Sequence, residues 1–274
     1  QEYGYQVVAI EKNERNERIN QCKDLGIIVL IGDVTNKELL LKAQSHKAKY
    51  VISVCGDDGT NAEVAVCSSE LVKNSKGKIL TCIAHIVDPR LCYLLREREI
   101  DINNDSFRLE FFNVFDFAAR SLINEYPVFS KMCDLQSPQP HLVIIGLGRM
   151  GKSLILHIAR NYGYKYIKTG NRLRVSIIDK EAERKKKLLC LWYPQVEKIC
   201  DMTSYQMDVR SAEFQQAKFL FNSNGDCDVT AICVCLDDDS LNLYTALALL
   251  QQVREYKIPI LIRMTHNKGL ATLI

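Results

Sequence analysis

The sequence predicts an α/β protein of two doubly wound parallel-sheet lobes in tandem, the first lacking its opening strand and glycine loop. Three observations predict it. Strand-like apolar runs alternate with helical stretches along the whole chain, the pattern of parallel sheets covered on both faces. One strand runs directly into a glycine loop and a helix near residue 146. Three segments of the first half recur, in the same order, in the second.

The strands of the first half are read at residues 6–11, 27–31, 50–55, 79–83 and 107–112. Those of the second half fall at 141–145, 174–179, a weak one at 206–208, 229–236 and 259–263. Several are unbroken Val/Ile/Leu/Cys runs, as buried strands require. Between the halves, Asp134-Leu-Gln-Ser-Pro-Gln-Pro140 reads as a short linker. The lobes are therefore placed at 1–136 and 141–274. Residues 111–126, apolar on one face, read as a helix at the end of the first lobe, the one that the resemblance given below makes a crossover helix. Tyr3-Gly4-Tyr5 reads as the end of a preceding helix.

The repeat pairs VVAIEKN (7–13) with VSIIDKE (175–181), each a strand ending in an acid. GDVTNKE (32–38) pairs with MDVRSAE (207–213), and SVCGDDGTN (53–61) with VCLDDDSLN (234–242).

The sharpest motif is Gly146-Leu-Gly148-Arg149-Met150-Gly151. Gly146 allows the tight turn, Gly148 lets backbone approach a pyrophosphate, and Gly151 permits close helix–strand packing. The helix N-terminus then offers N–H groups and a partial positive charge to phosphates. The next strand ends at Asp179, followed by Lys180. An acid there bonds a ribose diol and repels a 2′-phosphate, which favours NAD or another unphosphorylated adenosine nucleotide. Asp179 lies 28 residues beyond Gly151, against a usual spacing of about 20. Residues 162–172 are accordingly read as a hairpin or loop insertion. In the first lobe Glu11 takes the ribose position, and Asp33 with Val34 lies where an adenine would sit. Asp208 is the second-lobe equivalent of Asp33. Asp57, Asp58 and Asn61 follow the next strand at the same sheet edge, although Asp33 and Asn61 also read as helix N-caps.

These segments resemble the RCK domain, the regulator of potassium conductance, also called the Trk-type NAD-binding domain. GDVTNKELLLKA, AKYVISVCGDDGTNAEVA and the glycine-loop half carry the likeness, which spans nearly the whole chain as a tandem pair. The second copy departs at Met207-Asp-Val-Arg210, where Gly and Thr are lost. The resemblance implies a regulatory module that binds NAD(H), ATP, ADP or AMP and controls a potassium channel or transporter through ligand-dependent lobe movement. It also implies homo-oligomers, dimers assembled into rings, and exchange of the crossover helix. The location implied is cytoplasmic, at the inner face of the membrane, reached through a segment or partner outside this sequence. The chain is read as a piece of a larger protein, its last residues entering the helix after the fifth strand.

Composition narrows the alternatives. With 36 Lys and Arg against 33 Asp and Glu, the net charge of +3 excludes a nucleic acid as main partner. No apolar run approaches the roughly 18 residues of a membrane span. Eleven cysteines show no C-x-x-C spacing, and five histidines are scattered singly, so neither a disulfide framework nor a metal site is expected. Residues 184–187 (RKKK) read as a solvated helix face, Trp192 and Tyr193 as a cover for a helix end, and Asp237-Asp-Asp239 as a solvated cap. No nucleophile with an orienting base is visible, and both halves are spent on nucleotide-type folds, so the chain reads as a non-enzyme. The alternatives are an NAD-dependent oxidoreductase and a purely structural dimerisation module.

Overall fold

A computed structural model describes residues 4–73, 79–97, 103–222 and 224–265. The chain divides into two compact units, Gln1–Val114 and Phe115–Ile274.

In the first unit the chain runs β1 (Val8–Glu11), α1 (Arg18–Asp24), β2 (Ile28–Ile31), α2 (Lys37–Lys42), β3 (Tyr50–Ser53), α3 (Asp58–Val72), β4 (Leu80–His85), α4 (Pro89–Arg96) and β5 (Phe107–Phe112). Every strand pairing is parallel. Asn36, Asp57 and Asp88 cap α2, α3 and α4 by accepting first-turn N–H groups, and Pro89 takes the position where a missing N–H costs nothing. The strands form two separate sheets, β1–β2 and β3–β4–β5. Among the described residues no strand lies between β1 and β3. Their apolar residues are open in consequence, Val8 at 40% and Ile52 at 61% exposure.

The second unit is built on a single sheet. It comprises α5 (Val114–Glu125), α6 (Pro127–Cys133), β6 (His141–Ile145), α7 (Arg149–Thr169), β7 (Leu173–Asp179), α8 (Ala182–Trp192), α9 (Pro194–Ile199), β8 (Cys200–Gln206), α10 (Ala212–Gln215), β9 (Ala231–Val234), α11 (Asp239–Val253) and β10 (Ile260–Ile262). The all-parallel order is β10–β9–β6–β7–β8, with the glycine-loop strand β6 at the centre. Alternate residues feed opposite faces. Leu142, Ile144, Val175 and Ile177 pack under α7 with Ala119, Ile123, Phe129 and Met132 of α5 and α6. Val143, Ile145 and Ile178 pack with Phe214, Phe219, Ala246 and Leu249 on the other face. Burial on both faces explains the unbroken apolar runs.

The helix read as closing the first lobe falls instead in the second unit, where Ala119 and Ile123 join its core, and three elements differ from the sequence reading in the described residues. Residues 162–169 continue α7 rather than forming a hairpin, and Gly170 ends the helix in the left-handed region at φ 72°. Tyr162 and Lys165 are buried one turn apart, and that packing holds the helix through Gly163. The third strand is at 200–206 rather than 206–208. Its sequence, CDMTSYQ, is that of a polar edge strand, which hides it from an apolar search. Phe111 and Phe112 belong to β5, so the helix expected at 111–126 starts at Val114. The helix readings at Tyr3 and beyond residue 265 lie outside the described residues.

Lys165 and His141 are among the buried polar residues of the second unit. Lys165, 1% exposed, donates from Nζ to the carbonyls of Ser137 (2.9 Å), Met132 (3.3 Å) and Pro138 (3.4 Å), tying the linker to α7. At the sheet edge holding the start of β6, His141 Nδ1 lies 2.9 Å from Asp228 Oδ1, and Nε2 lies 2.8 Å from Ser176 Oγ. Arg174 completes the group by pairing with Asp228. Ser176 is 3% exposed within β7, so this serine–histidine–aspartate chain is internal bracing of the sheet. Burial pushes the His141 pKa down, against the opposing hydrogen bond to Asp228. The unfolded chain therefore takes up a proton near the ordinary histidine value, about 6.5, before the folded unit does. Stability of the second unit is expected to fall as the pH drops from 7.5 to 5.5. Denaturant melts across that range should show a flatter pH slope for His141→Gln than for the natural chain.

None of the eleven cysteines is in a disulfide. Burial raises the pKa of Cys82, Cys200 and Cys235 to about 12, leaving these thiols protonated and unreactive.

Candidate functional site

The switch point of the second sheet lies between β6 and β9, and a crevice opens beyond the carboxyl ends of the strands there. It has a volume of about 390 Å³. Gly146, Gly148, Asp179, Lys180 and Asp208 line it together with Glu181, Lys185, Leu236 and Asp237.

Each glycine of the loop has a distinct local reason. Gly146 adopts φ 91°, and a Cβ there would stand 3.0 Å from the Cys235 carbonyl oxygen. A Cβ on Gly151 would meet the Gly146 carbonyl oxygen at 2.2 Å, closer than atoms can approach. Gly148 is different: nothing lies within 4 Å of its Cβ position, so its backbone faces open space at the start of α7. Arg149 is exposed with its guanidinium 5.8 Å from the Phe115 ring centre, whereas Met150 is 7% exposed and belongs to the core.

Asp179 sits where β7 meets the loop. Its Oδ2 accepts from Leu147 N–H at 2.9 Å, its Oδ1 from Glu181 N–H at 2.9 Å, and both oxygens from Lys185 Nζ at 2.8 Å. Burial pushes its pKa up, but Lys185 and the two backbone N–H groups outweigh this and hold it below the ordinary carboxylate value. Opposite, Lys180 Nζ bridges to Asp208 at 2.8 Å. That hydrogen bond, followed by the Arg210 N–H, lowers the Asp208 pKa.

The first unit repeats this arrangement. Glu11 accepts from Asn13 N–H at 2.7 Å and Asn16 Nδ2 at 2.8 Å. Lys12 Nζ bridges to Asp33 at 2.7 Å, as Lys180 does to Asp208. Asp33 also turns back on Thr35 N–H and Oγ1, while Asn36 is the residue that caps α2, and Val34 is half-buried beside it. Lys12 and then Thr35 hold the Asp33 carboxyl far below its usual range.

The paired acid–asparagine segments are bracing, atom for atom. Asp57 and Asp238 cap α3 and α11. Asp58 accepts from Val87 and Asp88 N–H, and Asp239 from Thr265 N–H and Oγ1. Asn61 and Asn242, both fully buried, bond the N–H and carbonyl of Cys55 and Leu236. Asn61 therefore lies inside α3 and is not its cap. The three acids 237–239 diverge, Asp237 to Arg263, Asp238 to α11 and Asp239 to Thr265.

Sequence reasoning missed Lys185. The run 184–187 is only partly a solvated face, because Lys185 turns inward to Asp179 while Arg184 pairs with Glu181. Its spacing of six residues from Asp179 was the available signal.

Residues 1–103 match the family model of the TrkA-N domain. The match falls within the first unit. That unit's parallel strands and braced acidic loop recur in the second unit around a complete sheet. Two solved structures are similar to this chain in fold. "Crystal structure of the GsuK bound to ADP" aligns with a TM-score of 0.59 at 16% identity, covering 94% of this chain and 54% of that one. "GsuK Channel" aligns with a TM-score of 0.56 at 15% identity and the same coverage. The chain thus spans about half the length of these structures. Comparison with curated protein sequences gives no match.

Proposed function

We propose that the chain is a nucleotide-binding regulatory module of a potassium channel or transporter, taking NAD(H) or an adenine nucleotide. The observation that carries this reading is the crevice at the switch point. Gly148 leaves its backbone open at a helix start, beside a cleft large enough for a nucleotide. A phosphate group fits there, against the N-terminus of α7. Gly146 and Gly151 shape the loop, Arg149 stands outside it, and Asp179, Lys180 and Asp208 line the ribose and adenine side. Glu11, Asp33 and Val34 mark the corresponding place in the first unit, with Asp57 and Asn61 holding its loop. The TrkA-N domain and the ADP-bound GsuK structure support the ligand class and the channel as effector. A bound nucleotide changes a lobe arrangement only by its difference in affinity between two arrangements.

No helix among the described residues is long and apolar enough to cross a membrane, so the channel is placed in another segment or subunit. Homo-oligomers follow from the same reading.

Calorimetric titration of the full chain with NAD, NADH, ATP, ADP and AMP tests it. Saturable binding of at least one, with a rise in melting temperature and no turnover, is the expected result. No saturable binding by any of the five, or steady oxidation of NADH with a small-molecule substrate, would overturn it.

A further inference from the structure

In a dinucleotide crevice, the acid ending the second strand bonds the ribose diol and turns away a 2′-phosphate by its charge. In the second unit that charge is already compensated. Lys185, on α8, holds both Asp179 oxygens at 2.8 Å, and the Leu147 and Glu181 N–H groups take up further lone pairs. The Asp179 side chain is 8% exposed and that of Lys185 25%, so the pair is shielded from solvent. Short, shielded pairs cancel charge effectively, whereas exposed ones are screened.

The surroundings do not restore a negative field. Lys180 stands at the same wall, paired with Asp208, and Glu181 is paired with Arg184. An ammonium has three protons, and two are directed at Asp179, which leaves one for an anionic group in the cleft. The first unit provides the contrast. Glu11, the repeat counterpart of Asp179, is held by the Asn13 N–H and the Asn16 amide, which are neutral donors and leave its charge intact.

We propose that Lys185 is a specificity-determining residue of the second crevice: by neutralising Asp179, it lets that crevice accept an adenine dinucleotide phosphorylated on the ribose 2′-oxygen as readily as one with a free 2′-hydroxyl. A free diol meets a carboxylate whose lone pairs are engaged, while a 2′-phosphate meets Lys185 and Lys180. This rests on the nucleotide-binding reading above, and it reverses the selectivity expected from Asp179 alone.

The test is calorimetric titration of the full chain with NAD and NADP, in the natural sequence and in three variants. The natural chain should bind both with dissociation constants within about threefold of each other, a difference below one hydrogen bond. Lys185→Met uncovers the Asp179 charge, so the NADP-to-NAD ratio of dissociation constants should rise by on the order of tenfold or more. Lys185→Arg keeps the charge and should keep the ratio. Asp179→Asn leaves Lys185 unpaired and should move the ratio toward NADP, which retains a readout if Lys185→Met fails to fold. A ratio unmoved by both Lys185→Met and Asp179→Asn, or a natural chain preferring NAD by more than about tenfold, overturns the role of Lys185 while nucleotide binding stands. Binding of neither dinucleotide overturns this role. Nucleotide binding as such falls only if ATP, ADP and AMP fail as well.

Discussion

Gly148→Val is expected to remove nucleotide binding from the second crevice while leaving the melting of the second unit unchanged. The valine finds no protein atom within 4 Å of its Cβ, so the fold has room for it. Its branched side chain then occupies the space through which a pyrophosphate approaches α7. Gly151→Ala, three residues on, should do the reverse. Its single methyl would stand 2.2 Å from the Gly146 carbonyl oxygen and 3.1 Å from Ile144 Cγ2, and backbone cannot yield as a flexible side chain can. Overpacking of this severity costs about 3 kcal/mol. Melting temperature and calorimetric titration of the two variants side by side separate the ligand contact from the packing contact. Undiminished nucleotide binding by Gly148→Val would remove this loop from the site.

Lys165→Met should cost the second unit roughly 3 kcal/mol, at nearly constant side-chain volume. Methionine fills the space but leaves the carbonyls of Met132, Ser137 and Pro138 without this donor. Each buried acceptor that loses its partner costs about 1–3 kcal/mol, less where water reaches it. For a unit of this size, a loss of that order lowers the melting temperature by about 6–12 °C. Limited proteolysis should cut the 134–140 linker faster in the variant, because Lys165 is what holds it against α7. An unchanged cutting rate would assign the linker's order to α6 instead.

Much of this architecture was legible in the sequence because parallel strands buried on both faces write themselves as apolar runs. Nine of the ten strands were located, and the repeat placed Glu11 opposite Asp179 and Asp33 opposite Asp208. What escaped the sequence had physical reasons. β8 is a polar edge strand whose apolar residues alternate, so no run marks it. The end of α7 was obscured by Gly163 and Gly170, only one of which stops a helix; the buried pair Tyr162 and Lys165 decides between them. Lys185 was masked by the run of four basic residues around it, in which only its spacing of six residues from Asp179 sets it apart. The family-like DD-x-x-N segment was legible as a motif, but its atoms serve the loop and helix start.

The two small sheets of the first unit and the five-stranded sheet of the second differ in how many ladders must break for a strand to open. In the second unit, β6 is bonded on both flanks, so its amides exchange with deuterium only when the whole sheet opens. In the first unit β1 and β3 are each bonded along one flank, and the β1–β2 ribbon opens by breaking a single four-residue ladder. Exchange protection therefore descends from the centre of one sheet to the two halves of the other. Hydrogen exchange is expected to show the first unit opening in parts below the global opening of the second-unit sheet, and uniform protection across both units would contradict this.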